Sequence, residues 1–313
     1  MICYLTQLKK QLMKRSIKLI AIAIIAWFVS PAFGQSNDDP TGLPGDQFSL
    51  EGALTLFKKA SSPEEFEKLL NDQDNHVNNL DLNDDGKTDY IKVIDKMDGD
   101  VHALVLQAIV SDNENQDVAV IEIEKDGKES AVLQIVGDED IFGENVIVEP
   151  TDGDSNMKGK GRGPSLTEDD NMGLVVNVWF WPSIRFIYAP VYRPWISPWT
   201  WVSYPVWYRP WHPFAWAVWH PFRVSYRVGF GIAPIHRVTR AHAVYTPVRV
   251  HSVTVTTRHQ TALSNYRVSH TRTTVTKEGP RGQVRATHTE TTVKGPHGGK
   301  VKHERTTVRG KRN

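Results

Sequence analysis

The run YIKVIDKMDGDVHALVLQAIVSDNENQDVAVIEIEKDGKESAVLQIV at residues 90–136 contains four apolar-rich segments: 90–97, 101–110, 118–124 and 131–136. Asp98-Gly99-Asp100, residues 111–117 and Asp126-Gly127 part them. The segments are short and rich in β-branched residues, and the separators are turn-forming, so the pattern predicts an antiparallel β-meander. Segment 101–110 is apolar at both alternating sets of positions, which predicts a central strand covered on two sides. The cover for the second side is not identifiable from the pattern.

Upstream, Leu50, Ala53, Leu54 and Phe57 recur at helical spacing, and Ser62-Pro63-Glu64-Glu65 matches a capping box with proline at the first helical position. The expected class is therefore α+β. Two short helices precede the meander, and an aromatic, proline-rich segment and a β-rich or disordered basic tail follow it.

Between helices and meander stands Asp81-Leu82-Asn83-Asp84-Asp85-Gly86-Lys87-Thr88-Asp89, of the form DxNxDGxxD. Calcium takes six or more hard oxygen ligands from a sharply bent loop. Asp81, Asn83, Asp85 and Asp89 would supply side-chain oxygens, Lys87 its main-chain carbonyl, and Gly86 the bend, with Asp84 pointing outward. A structural Ca2+ is thus the expected ion. The plainer alternative is a hairpin turn at Asp85-Gly86, which leaves the spacing of Asp81, Asn83 and Asp89 to chance. Lys92 stands where an EF-hand has its bidentate glutamate, and the flanks read as strands. On Leu80-Asp81-Leu82-Asn83 and Gly86-Lys87-Thr88-Asp89-Tyr90-Ile91, the stretch resembles the strand-flanked calcium loops of FG-GAP repeats and, less closely, dockerin loops. It occurs once, so no repeated propeller blades are implied.

Lys14, Arg15 and Lys18 precede an apolar run at 19–29, and Ala32-Phe33-Gly34 then offers small residues. This order is that of a secretory signal peptide over 1–34, and the run falls short of the roughly 20 residues that span a bilayer. Export to the periplasm, the outer-membrane surface or the medium is expected. The chain's single cysteine, Cys3, lies in this segment, so no disulfide or thiolate site is expected in the mature chain.

The 313 residues carry 37 Lys and Arg against 36 Asp and Glu, but the signs are sorted. Residues 35–170 hold 33 acidic and 11 basic side chains, whereas 171–313 hold 3 acidic and 21 basic. The chain accordingly divides into an acidic α+β domain at 35–150, a flexible linker at 151–172, a Trp/Pro-rich segment at 173–235 and a basic Thr/Val/His-rich repeat tail at 236–313. Asp138-Glu139-Asp140 and Asp152-Gly153-Asp154 read as solvated acidic turns.

The Trp/Pro-rich segment holds nine tryptophans, with Tyr192-Arg193-Pro194-Trp195 recurring as Tyr208-Arg209-Pro210-Trp211. Its prolines exclude regular helix over most of its length. It reads either as an aromatic core stapled by proline turns or as a binding surface. In the second case Trp195, Trp199 and Trp211 would present rings, and Arg185, Arg193 and Arg209 would be placed for cation–π contact. In the tail, Val253-Thr254-Val255 alternates like a strand, and Thr273-Thr274-Val275 returns at 291–293 and 306–308. Ten of the twelve histidines lie beyond residue 171, at spacings that match no zinc motif.

No GxSxG, HExxH or strand-to-helix GxGxxG occurs, which points away from an enzyme. The order of segments resembles uncharacterised secreted proteins of the Gram-negative cell envelope, and that resemblance implies no activity. The expectation is a non-catalytic secreted or cell-envelope protein with a structural calcium loop. Its basic aromatic module would attach to an envelope polyanion, a glycan, a membrane surface or an acidic protein, the acidic half of the same chain included. Nucleic acid is a lesser candidate for an exported chain. The alternatives are a secreted metal-dependent hydrolase using Asp81, Asp85 or Asp89, and a histidine-based metal-binding stress protein.

Overall fold

A computed structural model describes residues 40–151, 175–233, 235–279, 282–294 and 300–311. The signal peptide expected at 1–34, the linker beyond Thr151 and the turn Asp152-Gly153-Asp154 lie outside the described residues. The chain is α+β, with N-terminal helices followed by an antiparallel meander.

Helix α1 (Leu50–Lys59) starts where the Ser49 side chain accepts from the Gly52 amide at 3.0 Å. Helix α2 (Pro63–Leu70) starts at Ser62, whose Oγ accepts from the Glu65 amide at 3.1 Å. The return bond of that capping box reaches one residue further back, from the Ser61 amide to Glu65 Oε2 at 2.8 Å. Strands β1 (Ile91–Asp98), β2 (Val101–Ile109), β3 (Asn115–Gly127) and β4 (Ser130–Gly137) follow in sequence, each antiparallel to the last. Asp98 pairs with Val101 across a two-residue turn whose Gly99 takes φ +62°, a conformation open to glycine.

A short helix α3 (Glu139–Phe142) leads to β5 (Ile147–Pro150), and helices α4 (Pro182–Ile187) and α5 (Trp216–Ser225) lie in the aromatic segment. Strand β6 (Phe230–Ile232) then pairs with β5 and completes a sheet in the order β1-β2-β3-β4-β5-β6. Beyond it come α6 (Thr239–Tyr245) and α7 (Val253–Asn265). A separate three-stranded antiparallel sheet is built by β7 (Arg267–Gly279), β8 (Gly282–Lys294) and β9 (Lys300–Lys311), whose strands carry the three Thr-Thr-Val repeats.

Every residue of β2 is buried, and its two faces meet different partners. Leu104, Leu106 and Ala108 join Leu54, Phe57, Phe66 and Leu70 of α1 and α2 in the main core. Ala103 and Val105 join Val120, Val136 and Tyr245, and Val101 packs with Val238 and Ala241. The second cover is therefore α6 and the residues leading into it. Val178, Trp181, Ile184, Ile187 and Val255 also enter the main core. The boundaries that composition draws at 150 and 235 thus divide stretches that share one core.

One expectation is corrected. Val253-Thr254-Val255 opens α7 and is not a strand, because Ser252 Oγ accepts from the Val255 amide at 3.2 Å while Glu114 Oε2 accepts from the Thr254 amide at 3.0 Å. Capping of the free amides and complete burial of Val255 override a three-residue alternation. The aromatic segment is irregular over most of its length, as its prolines require, and holds only two short helices. Pro182 sits in the first turn of α4, where no amide donor is needed. Pro221 lies inside α5, whose buried Trp219 is anchored by Nε1 donating to Asp46 O at 2.8 Å.

Candidate functional site

The Asp81–Asp89 loop is closed by its own amides. Asp81 Oδ1 accepts from Asp85 N at 3.0 Å and Oδ2 from Gly86 N at 2.8 Å. Asn83 Oδ1 accepts from Asp85 N at 3.0 Å, Asp85 Oδ1 from Lys87 N at 2.9 Å, and Asp89 Oδ2 from Leu82 N at 2.6 Å. Gly86 has φ +81°. Asp84 points outward and pairs with Arg258 Nη1 at 2.9 Å. On the C-terminal side the loop runs into β1, whereas on the N-terminal side the chain makes only an isolated bridge, Asn78 to Phe48.

Asp89 is 5% exposed. Burial holds its carboxyl well above the usual carboxylate range; the Leu82 amide opposes this, and the charges of Asp81, Asp85 and Asp84 add to it. Burial raises Asp81 as well, against the amides of Gly86 and Asp85. A buried carboxylate with one amide donor and like charges around it is under-compensated, and a divalent cation would relieve it. The donor set fits calcium in kind: hard oxygens, with further lone pairs on Asp85 and Asp89 beyond those the amides use. Its three carboxylates, Asp81, Asp85 and Asp89, do not bring one oxygen each within 4.8 Å of one another. Among the described residues, the acidic and histidine side chains whose ligand atoms all lie within 4.8 Å of one another are Glu122, His236 and His242.

A cleft of about 250 Å³ opens beside the loop, between Asp85, Lys87 and Asp89 on one wall and Trp201, Tyr204 and Tyr208 on the other. Burial, with Asp89 and Asp85 nearby, pushes the Tyr204 hydroxyl up to about 12. The aromatic segment is fastened here: Tyr208 Oη donates to Thr88 O at 2.8 Å, and Thr88 N to Trp211 O at 2.8 Å.

The rings expected to face a ligand lie elsewhere. Trp211 is buried against Tyr208, and Trp195 is half-buried with its Nε1 donating to Glu67 Oε2 at 3.3 Å. Trp199 is half-buried beside the cluster of Tyr90, Tyr208 and Trp211. Arg193 is exposed, and Arg209 is turned back onto the carbonyls of Val206 and Tyr208, each at 2.8 Å. The cation–π contacts found among the described residues use lysines of the acidic half: Lys58 over Trp181, Lys68 over Trp207 and Lys125 over Trp179. Of the two readings of this segment, a core stapled by proline turns or a binding surface, buried Trp211 fits the first, whereas Trp195 and Trp199 keep part of their surface open to solvent.

The two charge halves grip each other. Arg249 Nε reaches Asp138 Oδ2 at 2.6 Å, with Glu139 at 3.0 Å and Asp140 at 2.7 Å, so this acidic turn is a socket for arginine and not merely solvated surface. Arg240 pairs with Glu124 at 2.9 Å, Arg237 with Glu149 at 3.3 Å and Arg223 with Asp46 at 3.7 Å. Buried carboxylates on the sheet also accept neutral donors from the second half, as when Tyr192 Oη bonds Asp95 at 2.8 Å and Val250 N bonds Asp117 at 2.8 Å.

Comparison with protein-family models, curated proteins and solved structures returned no match. Among the described residues no helix is long and apolar enough to cross a membrane.

Proposed function

We propose that this is a non-catalytic protein of the cell envelope, in which a calcium-stapled sheet domain carries a basic module that attaches to an envelope polyanion. Lipopolysaccharide phosphates are the chemistry that best suits an exported cationic sheet. The supporting observation is where the positive charge lies along the chain. Arg223, Arg237, Arg240, Arg249 and Arg258 are engaged with carboxylates of the acidic half. Residues 267–313, by contrast, hold 12 basic side chains against Glu278, Glu290 and Glu304. That surplus is carried largely on β7–β9.

A non-catalytic role is supported by the use of the buried carboxylates, since Glu67, Asp95, Asp117 and Asp138 serve as acceptors that hold the second half in place. In the loop, Asp81, Asn83, Asp85 and Asp89 would hold calcium, and the ion would cross-link the start of β1 to the preceding chain.

The test is co-sedimentation of the mature chain with lipopolysaccharide micelles at low and high salt. Screening beyond a Debye length of roughly 8 Å weakens such attachment as salt rises. Binding at low salt should fall steeply with salt, and should drop in a variant with Lys300, Lys302, Arg305, Arg309 and Lys311 changed to Gln. A chain that stays in the supernatant at low salt defeats the proposal.

A further inference from the structure

Two histidines and a glutamate meet on the face of the sheet that α6 covers. Glu122 is fully buried on β3, while His236 arrives from the segment between β6 and α6, and His242 from α6 itself. His242 Nδ1 lies 2.7 Å from Glu122 Oε1, and His236 Nε2 bonds Glu122 Oε2. The two imidazoles sit edge to face, with centroids 4.5 Å apart.

The neighbours of Glu122 fix the backbone that carries both rings. Gln134, its cross-strand partner on β4, accepts from Arg237 N at 2.7 Å and donates to Ile235 O at 3.0 Å, bracketing His236 on either side. Glu124, two residues along the same face of β3, accepts from Arg240 N at 2.7 Å and Ala241 N at 3.3 Å, which fixes the start of α6 and hence His242. On the other flank Glu122 faces Ala103 of β2, whose small side chain leaves room for the rings. The His236 and His242 side chains remain 24% and 38% exposed, so the group is reachable from solvent.

We infer that Glu122, His236 and His242 form a mononuclear site for a divalent first-row transition ion such as zinc, with two imidazole nitrogens and one carboxylate oxygen as the protein's ligands. Such ions bind imidazole nitrogen and carboxylate oxygen at about 2.0–2.2 Å, and a three-ligand set leaves positions for water on the exposed side. The residues that bracket the histidines play the part that outer hydrogen bonds play in holding metal ligands in orientation. Nitrogen ligands separate this site from the hard-oxygen chemistry of calcium, so it stands independently of the Asp81–Asp89 loop. The histidine spacing gave no zinc motif because the third ligand lies 114 residues before His236.

The test uses the mature full-length chain stripped with a chelator, titrated calorimetrically with zinc and spectroscopically with cobalt(II). One ion per chain should bind, with visible cobalt bands, undisplaced by millimolar calcium. His236→Ala/His242→Ala should lose that equivalent. Glu122→Gln, which keeps the shape of the side chain but replaces one carboxylate oxygen with an amide donor, should weaken zinc at least tenfold while near-ultraviolet circular dichroism is unchanged. Uptake that is equal in wild type and both variants would place the ion on other histidines and overturn the assignment. A wild-type chain that takes up no zinc at micromolar concentration would reduce the cluster to a hydrogen-bonded clamp and overturn it equally.

Discussion

Ser197 Oγ donates to Glu67 Oε1 at 2.9 Å, joining the aromatic segment to helix α2 across 130 residues of chain. The same carboxylate accepts from Tyr90 Oη at 2.7 Å, Val93 N at 2.8 Å and Trp195 Nε1 at 3.3 Å, and Glu67 is 2% exposed. Glu67→Ala would strand several buried donors and open a cavity, for a loss of about 3–5 kcal/mol. Ser197→Ala removes one donor and should cost about 1 kcal/mol. Urea unfolding checks both, and near-equal losses would mean that the network does not act through Glu67.

The same residue sets a pH dependence. Burial raises the Glu67 carboxyl above its ordinary 4.5, and its four hydrogen-bond donors only partly offset this. Between the unfolded and folded values, the native state therefore holds a proton that the unfolded chain has released. Stability from this group is full below about pH 4.5 and falls as pH rises through the folded value. Comparing pH–stability curves of wild type and Glu67→Gln should show the variant flatter above pH 4.5, and identical slopes would refute the assignment.

Calcium should raise the melting temperature. Extracellular modules bind at about 10⁻⁴ to 10⁻³ M, so 10 mM calcium at the tight end adds about 2.7 kcal/mol, several degrees for a chain of this size. Asp81→Ala, Asp85→Asn and Asp89→Asn should each abolish the shift. If neither calcium nor a chelator moves melting in the wild type, the stretch is only a turn.

How far the sequence reaches can be read from these residues. Ser62 and Gly99 were legible because caps and two-residue turns are local chemistry, and the β-branched runs gave the meander strand by strand. Tyr245 as the cover of Val105, and Glu122 as the meeting point of His236 and His242, were not legible, since no periodicity encodes a partner more than a hundred residues away. The sorted charges did carry that information in coarse form. They made the acidic half one candidate partner of the basic half, without saying which arginine finds which aspartate.

Arg249 is the strongest such case. Its guanidinium bridges Asp138, Glu139 and Asp140, and Asp138 is only 4% exposed. Arg249→Ala leaves Asp138 buried without its counter-charge, for an expected loss of about 2–3 kcal/mol, less than a fully dry pair because the guanidinium keeps some water. Arg240→Ala, whose own side chain is largely exposed, should cost less than Arg249→Ala. Thermal melts that rank the two the other way would show that exposure does not govern these pairs.

The acidic half should not fold alone. A chain ending at residue 150 loses Val178, Trp181, Ile184 and Val255 from the main core, and Tyr245, Val238 and Ala241 from the second face. It also leaves Asp117, Glu122 and Asp138 without the donors that Tyr245, His236, His242 and Arg249 provide. Uncovered β2 and β3 would then present a contiguous apolar surface, the kind that associates. Expressed separately, residues 35–150 should bind a hydrophobic dye, lack near-ultraviolet dichroism and aggregate, whereas residues 35–266 should melt cooperatively. A sharp, reversible transition in the shorter chain would show that the second half is attached to the sheet domain without being part of what makes it fold.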